Sequence, residues 1–275
     1  MSFLHAGPHR LPLATPLVVG IVNVTPDSFS DGGCWGDAQA AIAHGLKLRD
    51  QGADILDVGG ESTRPGAAEV PAAEEIRRVL PVIEALARRG CVVSVDTMKP
   101  EVMRAALDAG AAMVNDVMAL SAPGALETVA ASGAAVCLMH MQGTPRQMQQ
   151  APHYSDVVAE VDGFLRERVA ACGTAGIGRE RLVIDPGFGF GKTLVHNLAL
   201  LRQLPRLAGS GVPVMAGLSR KSMLGALTGR DVGQREYAGV AAHLAAVARG
   251  ARLLRVHDVA AMRDALAVWN AVEET

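Results

Sequence analysis

Polar residues end a series of short apolar segments in this chain, and their side chains are of the types that bind ligands or catalyse reactions. In chain order they are Asn23, Asp57, Asp96, Asn115, His140, Asp185, the cluster 219–222, Arg255 and His257. Taken singly, an Asp or Asn at such a position often only begins a turn or caps the next helix. A set this large on one chain favours a shared site, provided that the segments are strands whose ends meet.

Several of these residues suit the recognition of a heterocycle. A carboxylate can accept two parallel hydrogen bonds from an amino-pyrimidine edge, much as Asp or Glu accepts from a base amine. Asp96 and Asp185 supply such carboxylates, and Asn115 supplies an amide. Lys221 and Arg255 add cations, and a guanidinium such as that of Arg255 can stack on a ring.

Other residues suit an anion next to that ring. Arg255, His257 and the amide of Asn23 could together hold a phosphate or diphosphate. Simpler roles stay open, because Arg255 could bridge a helix end and His257 could cap a helix. The net charge of −2 and the pI near 6.4 argue against a nucleic-acid-binding surface, which would show a basic excess, but not against a small anionic ligand.

Five familiar motifs are absent. The segment GFGFGKT (187–193) resembles a phosphate-binding loop, but Pro186 stands where that loop needs its first glycine. Lys192 stands where the dinucleotide fingerprint needs its third glycine. The sequence also contains no His-Glu-x-x-His, no Cys/His zinc spacing and no Gly-x-Ser-x-Gly.

The segments that must position these residues alternate between strands and helices. Strands are predicted at 17–22, 53–58, 91–95, 113–116, 135–139, 182–184, 212–216 and 252–256. Helices are predicted at 37–51, 74–89, 100–108, 123–132, 155–175, 197–207, 236–249 and 258–272. Short, nearly all-apolar strands are typical of a parallel sheet that is covered on both faces.

About eight strand–helix units follow one another with no break in composition, which allows either an open doubly wound sheet or a closed (β/α)8 barrel. Eight units in about 260 residues favour the barrel. We therefore predict a single-domain (β/α)8 TIM barrel over residues 1–275, with the active site at the C-terminal ends of the strands. Residues 1–16 form an N-terminal arm with no recognisable motif.

The cysteines and the apolar segments indicate where the protein resides. The four cysteines are scattered and form no Cys-x-x-Cys pair, which favours a reduced, cytoplasmic protein. Residues 1–16 lack the apolar core of a signal peptide, and no apolar run approaches the roughly 18 residues of a membrane span. We expect no contact with a membrane.

Long segments of the chain resemble the signature segments of the dihydropteroate synthases, a family of pterin-binding enzymes. In order they are GIVNVTPDSFSDGG (20–33), DVGGESTRPG (57–66), SVDT (94–97), VND (114–116), MHMQGTP (139–145), IDPGFGFGK (184–192), GLSRKSMLG (217–225) and RVHDV (255–259). The resemblance covers essentially the whole chain beyond the N-terminal arm, and no site position departs from the family pattern.

The resemblance implies a transferase of folate biosynthesis. Such an enzyme condenses 6-hydroxymethyl-7,8-dihydropterin diphosphate with p-aminobenzoate and releases 7,8-dihydropteroate and diphosphate. The implied mechanism is an ionisation-like substitution, in which diphosphate departs with the help of Mg²⁺ before the amine attacks. The resemblance also implies a homodimer that sulfonamides inhibit, and the Ala-rich helix at 236–249 is a candidate interface.

Carried onto matching positions, the resemblance assigns the pterin and its leaving group. Asp96, Asn115, Asp185 and Lys221 are expected to hydrogen-bond with the pterin, and Arg255 is expected to stack on it. The predicted catalytic residues are Asp96, Asp185, Lys221 and Arg255. The residues expected at the diphosphate are Thr63, Arg255 and His257, with Asn23 expected to help hold Mg²⁺.

The resemblance places the second substrate against two loops, 25–33 and 62–66, which are expected to close over the site and exclude water. The aminobenzoate site is expected to be shaped by Phe29, Thr63, Arg64, Pro65, Phe190 and Ser222, with Asp31 arriving as the first loop closes. Phe29 and Pro65 match positions where substitution in this family reduces sulfonamide binding. We expect no strong general base, because the arylamine nitrogen is already neutral.

Two other hypotheses compete with this interpretation. A methyltetrahydrofolate-dependent methyltransferase barrel also holds a pterin with Asp and Asn at strand ends, but segments 62–66 and 255–258 do not belong to that chemistry. A non-catalytic pterin-binding partner would have lost loop or anion-site residues, and none is missing from this sequence.

Overall fold

The computed structural model describes residues 2–24, 33–62, 66, 68–144 and 147–273, with residues 33–37 described by their backbone alone. Its strands are β1 (Phe3–Ala6), β2 (His9–Pro12), β3 (Leu17–Asn23), β4 (Ile55–Gly59), β5 (Val93–Asp96), β6 (Met113–Asp116), β7 (Ala135–Met139), β8 (Leu182–Asp185), β9 (Val214–Ala216) and β10 (Ala251–Val256). Its α-helices are α1 (Gly33–Asp50), α2 (Ala72–Ala87), α3 (Pro100–Asp108), α4 (Ala125–Ala130), α5 (Val157–Thr174), α6 (Leu194–Arg202), α7 (Leu204–Ala208), α8 (Ser222–Thr228), α9 (Glu236–Val247) and α10 (Val259–Glu273).

Strands β3 to β10 form a closed barrel of parallel strands, in chain order around the ring. The last strand closes it by pairing with both β9 and β3, which sets Leu253 beside Leu17 and Arg255 beside Val19. The predicted (β/α)8 barrel is therefore confirmed. Closure brings the first and last strands side by side, so the residues that follow both strands share one end of the barrel.

The buried residues form two clusters, one on each face of the strands. Val19, Ile55 and Leu253 belong to the cluster inside the barrel. Their neighbours in sequence, such as Val18 and Leu254, belong to the larger cluster between the strands and the helices. Since successive strand residues point to opposite faces, two apolar faces produce continuous apolar strands without alternation.

The N-terminal arm has a defined structure that its sequence did not reveal. Strands β1 and β2 form an antiparallel hairpin. Leu4 and Ala6 are fully buried and, with Leu13, join the cluster inside the barrel. The Gly7 amide also donates to the Gly133 carbonyl at 3.0 Å, just before β7 begins. The hairpin therefore packs against the N-terminal ends of the barrel strands, opposite the predicted site.

Most predicted helices match the structure within a few residues, and α3 begins and ends at the predicted positions. The helix predicted at 197–207 is instead two helices, α6 and α7. Pro205 lies in the first turn of α7, where its missing N–H costs no helical hydrogen bond. Helix α8 was not predicted, and it carries Ser222 at its first position. Within the described part of the chain, no helix has both the length and the apolar character needed to cross a bilayer.

Candidate active site

The polar residues predicted for the site follow, along the strands, the apolar residues that fill the barrel. Ile55, Met113, Val183 and Leu253 belong to the inner cluster. Two positions further along the same strands come Asp57, Asn115, Asp185 and Arg255, which therefore point into the barrel at its C-terminal end. Asp96 ends β5 and Asn23 ends β3 in the same way. Parallel strands of one barrel thus bring these six side chains to a single face.

Arg255 lies at the centre of this face, between two carboxylates. Its Nε donates to Asp57 Oδ2 at 2.6 Å, and its Nη2 donates to Asp96 Oδ2 at 2.6 Å. The Asn115 Nδ2 group donates to the same Asp57 oxygen at 3.0 Å. The guanidinium therefore links β10 to β4 and β5, and Asp57 adds β6 to the network. The two carboxylates fix the plane of Arg255.

Asp57 is one of the polar strand ends, but the sequence predictions give it no binding role. Its side chain is 1% exposed, and its Oδ1 has no hydrogen-bond partner among the described residues. A buried carboxylate with a spare acceptor is costly unless a cation compensates it, and Arg255 is that cation. The sequence did contain a signal for Asp57, because a charged residue is unusual inside an apolar strand. In the segment 53–58 the only charged residues are Asp54, at its start, and Asp57.

Burial raises the pKa values of the acids in this site and lowers the pKa of the lysine beside them. Burial raises the pKa of Asp96 to about 7, with the charge of Arg255 opposing the shift. It also raises the pKa of Asp185, although the Gly187 N–H donates to its Oδ1 at 2.7 Å. Burial lowers the pKa of Lys221 to about 8. The pKa values of Asp96 and Lys221 therefore both lie close to neutral pH, as is common for residues at functional sites.

Arg255 behaves differently from its neighbours. Burial by itself would lower the pKa of its guanidinium, but the charges of Asp57 and Asp96 outweigh that effect and raise it. Arg255 therefore remains a fixed positive charge in the site. Gly217 lies beside the base of this side chain, and an added Cβ there would lie 3.9 Å from both Arg255 Cβ and Asp185 Oδ2.

Lys221 and Phe190 form a second part of the site. The Lys221 Nζ lies 4.0 Å from the centroid of the Phe190 ring, within the range of a cation–π interaction. Gly189 leaves room for the lysine stem, since a Cβ there would lie 3.1 Å from Lys221 Cδ. Ser222 is the next residue and is exposed. The ring and the ammonium are therefore in contact, and Ser222 follows the lysine directly; their predicted role at the second substrate stays a prediction.

The residues predicted to bind the anion lie at the ends of β10 and β3. His257 follows β10, and its Nδ1 lies 2.9 Å from the Ser219 Oγ, which also accepts from the His257 amide at 3.3 Å. Asn23 is half-buried and pairs in register with Gly59 of β4. Because β3 lies between β10 and β4, Asn23 lies between the strand of Arg255 and the strand of Asp57.

Five predicted residues lie outside the described part of the chain: Phe29, Asp31, Thr63, Arg64 and Pro65. The two proposed loops, 25–33 and 62–66, fall largely there as well. What the structure does describe is the base of the second loop. Glu61 forms an ion pair with Lys99, which also bonds to the fully buried Glu75 at 2.6 Å. This buried network was not predicted from the sequence.

Comparison with known proteins agrees with this geometry. The family described as pterin binding enzymes matches the chain over residues 19–257. The dihydropteroate synthase of Escherichia coli (strain K12) is 50% identical over 262 residues, covering 95% of this chain and 93% of that protein. This chain belongs to the dihydropteroate synthase family of pterin-binding enzymes. The resemblance seen in the sequence is thereby confirmed, and the protein is a transferase.

Solved structures of dihydropteroate synthases share the whole fold. That of Xanthomonas albilineans with 4-aminobenzoic acid is 59% identical with a TM-score of 0.94, covering 99% of this chain and 98% of that one. The same enzyme in complex with 7,8-dihydropteroate is 57% identical with a TM-score of 0.91, covering 99% of each chain. A Yersinia pestis dihydropteroate synthase in a sulfonamide drug complex is 46% identical with a TM-score of 0.94, covering 99% of this chain and all of that one.

Proposed function

We propose that this protein condenses 6-hydroxymethyl-7,8-dihydropterin diphosphate with p-aminobenzoate to form 7,8-dihydropteroate and diphosphate. The observation that carries the proposal is the network of Arg255 with Asp57, Asp96 and Asn115 at the C-terminal end of the barrel. Relatives whose structures hold 4-aminobenzoic acid and 7,8-dihydropteroate support it.

The pterin would lie over this network. Its amino-pyrimidine edge presents donors that suit the carboxylate of Asp185 and the amide of Asn115. Both side chains are nearly fully buried, so each hydrogen bond replaces little bulk water. The guanidinium of Arg255 is held in one plane by Asp57 and Asp96, which prepares it to stack on the pterin ring.

In the proposed reaction the bond between the pterin methylene carbon and the diphosphate oxygen breaks before the new bond forms. The electron pair leaves with diphosphate, and the methylene carbon becomes electron-poor. Asp96 and Asp185 place negative charge near the pterin and stabilise that cation. The neutral amine of p-aminobenzoate then forms the C–N bond and releases a proton, which needs no strong base.

The departing diphosphate would be held where β10 and β3 end. Arg255 retains its positive charge there, and His257 lies two residues further along the chain. Thr63, the third predicted contact, lies outside the described residues. Positive charge fixed at the leaving group lowers the barrier, because charge develops on that group in the transition state.

Mg²⁺ fits this arrangement as an ion shared with the substrate. Among the described residues no group of three or more His, Cys, Asp or Glu side chains could hold a metal by itself. Mg²⁺ at phosphate sites usually takes one or two protein oxygens and completes its shell with phosphate and water. The half-buried amide of Asn23 offers one such oxygen. When bound there, Mg²⁺ would neutralise charge on the diphosphate.

The aminobenzoate would lie against Phe190, with Lys221 and Ser222 nearby. The aromatic ring offers an apolar wall, and the ammonium lies 4.0 Å from its centroid. Phe29, Asp31, Arg64 and Pro65 complete the proposed site from outside the described residues. Sulfonamides resemble p-aminobenzoate in shape and charge, so we propose that they compete for this wall.

We also propose a cytoplasmic homodimer. Tyr237 at the start of α9 is 85% exposed, and Leu227 and Val232 just before it are more than half exposed. Contiguous apolar patches on a protein surface often mark sites of protein–protein interaction. Light scattering should give twice the mass of the chain; the mass of a single chain would contradict the dimer.

The described cysteines Cys91, Cys137 and Cys172 are free and buried, as suits a reducing compartment.

The experiment that tests the function supplies both substrates and Mg²⁺ and follows dihydropteroate and diphosphate together. We expect the two products in equal amounts. As a control, Arg252→Ala removes an exposed arginine from the same strand as Arg255 and should leave turnover unchanged. Folded protein that binds the pterin but forms no product would refute the synthase and favour a non-catalytic binding role.

A further inference from the structure

The chain contains only four lysines, and one of them has a buried position that the proposed function does not explain. Lys47 is exposed on α1, Lys99 supports the second loop and Lys221 lies in the site. Lys192 is 3% exposed. A lysine is almost never buried to this extent unless its ammonium is compensated.

The ammonium of Lys192 joins two segments of backbone. Its Nζ lies 2.9 Å from the Phe190 carbonyl, 3.3 Å from the His140 carbonyl and 3.0 Å from His140 Nδ1. Burial lowers the pKa of Lys192 to about 7, and in its protonated form the side chain has three donors and no acceptor. In that form His140 Nδ1 accepts and the ring proton sits on Nε2. Burial, and then the charge of Lys192, lower the pKa of His140 to about 3, so the imidazole stays neutral.

The two segments are in direct contact along the loop that carries Phe190. Gly187 adopts a φ of +69°, and an added Cβ there would lie 1.9 Å from the His140 carbonyl oxygen. The carbonyls of this loop are bonded to side chains from elsewhere: Gly189 accepts from Gln149 at 2.5 Å, and Gly191 accepts from Tyr154 at 2.9 Å. The loop is thus fixed on all sides, with Lys192 holding the Phe190 carbonyl.

We propose that Lys192 is a positioning residue for the arylamine site. It touches neither substrate; it fixes the backbone of Phe190, and thereby the ring against which p-aminobenzoate packs and the place of the Lys221 ammonium beside it. The inference rests on the proposed function, because it assigns Phe190 to the second substrate. The inference gives Lys192 a different role from Asp185 and Asn115, which are proposed to bind the pterin.

Lys192→Met tests this role, since it keeps an unbranched side chain that is one atom shorter and removes its donors. With saturating pterin diphosphate, KM for p-aminobenzoate is expected to rise about tenfold or more, because small displacements of a positioning group have effects of this order or larger. KM for the pterin diphosphate should stay within about twofold of the native value. Lys47→Met, at the exposed lysine, is the matched control and should change neither constant.

A double variant distinguishes positioning from a general loss of stability. If Lys192 acts through Phe190, adding Lys192→Met to Phe190→Ala should raise KM for p-aminobenzoate no further than Phe190→Ala alone does. Full additivity, or an equal rise of both KM values, would overturn the proposal. If Lys192→Met does not fold, Lys192→Gln retains an amide donor, and the same comparisons apply to it. Native protein without any turnover would refute the proposed function, and this inference with it.

Discussion

Substituting Asp57 by Asn removes one negative charge from the centre of the site and keeps the shape of the side chain. In the native site one oxygen of Asp57 accepts from both Arg255 and Asn115, at 2.6 and 3.0 Å. The introduced amide retains a single acceptor oxygen, but no ionic bond to the guanidinium. Arg255 keeps its second carboxylate, Asp96.

The expected loss follows from that geometry. Breaking a buried ion pair outright costs about 3–5 kcal/mol, whereas losing one hydrogen bond to a charged group costs about 1.5–3 kcal/mol. The second range applies here, because Asp96 still compensates Arg255. We therefore expect kcat/KM for the pterin diphosphate to fall about 10- to 100-fold, at roughly 1.4 kcal/mol per factor of ten.

The pH profile supplies a second and more specific measurement. Burial raises the pKa of Asp96 to about 7, and the negative charge of Asp57 adds to that rise. Removing this charge lowers the pKa of Asp96, so its carboxylate persists to lower pH. The acid limb of the kcat/KM profile, which reports groups of the free enzyme, should therefore move to lower pH.

The matched control is Asp50→Asn, which removes a carboxylate that pairs with Arg49 at 2.7 Å on the exposed surface. Exposed pairs contribute little, so neither kcat/KM nor the pH profile should change. If folded Asp57→Asn enzyme shows native kcat/KM and an unmoved acid limb, Asp57 does not organise Arg255. Circular dichroism verifies folding in both variants.

Three further predictions concern the same end of the barrel. Lys221→Ala or Arg255→Ala should each lower kcat/KM at least about 100-fold, the scale of losing a charge-stabilising group, and near-native rates would remove that residue from the mechanism. Native kcat/KM should be greatest between pH about 7 and about 8, because Asp96 loses its proton through the first value and Lys221 through the second; a flat profile across that range would contradict it. Gly187→Ala should destabilise the fold by about 2–5 kcal/mol in urea unfolding, because its Cβ would meet the His140 carbonyl at 1.9 Å. Gly163→Ala, in α5 with open space around it, should be neutral or slightly stabilising, and equal losses in both variants would refute the steric argument.

The sequence predicted the strands of the barrel because they carry a simple signal. Parallel strands that are buried on both faces must be apolar throughout, and the polar residue that ends each one marks where the strand leaves the core. Strands β6 and β7 begin and end where they were predicted. The pattern does not distinguish an open sheet from a closed one, and only the pairing of β10 with β3 decides that.

The hairpin of β1 and β2 is an element that sequence patterns did not predict. Each strand has four residues, and the apolar side chains of β1 are only Phe3, Leu4 and Ala6. A segment this short has no measurable period, and its burial depends on the open lower end of a barrel formed by residues far along the chain. Tertiary contacts create this element, so local sequence does not predict it.

The roles of Asp57 and Lys192 were not predicted, for a different reason. Both were visible in the sequence, as a carboxylate inside an apolar strand and as a lysine in a glycine-rich segment. Their roles depend on partners 198 and 52 positions away, Arg255 and His140. Residue types and spacing predict which side chains reach a site, whereas the pairing among them depends on the fold.

The charges of the site explain how one pocket can favour a cation that exists only briefly. The two predicted catalytic acids have raised pKa values and Lys221 has a lowered one, so burial penalises the charged form of each before substrate arrives. In the proposed reaction the pterin methylene becomes positive, and Asp96 and Asp185 then gain a partner that stabilises their ionised forms. An interaction that strengthens only as charge develops lowers the barrier without tightening the ground state. Arg255, which is charged throughout, cannot contribute in this way to the cation; its proposed role is to hold the ring and the leaving group.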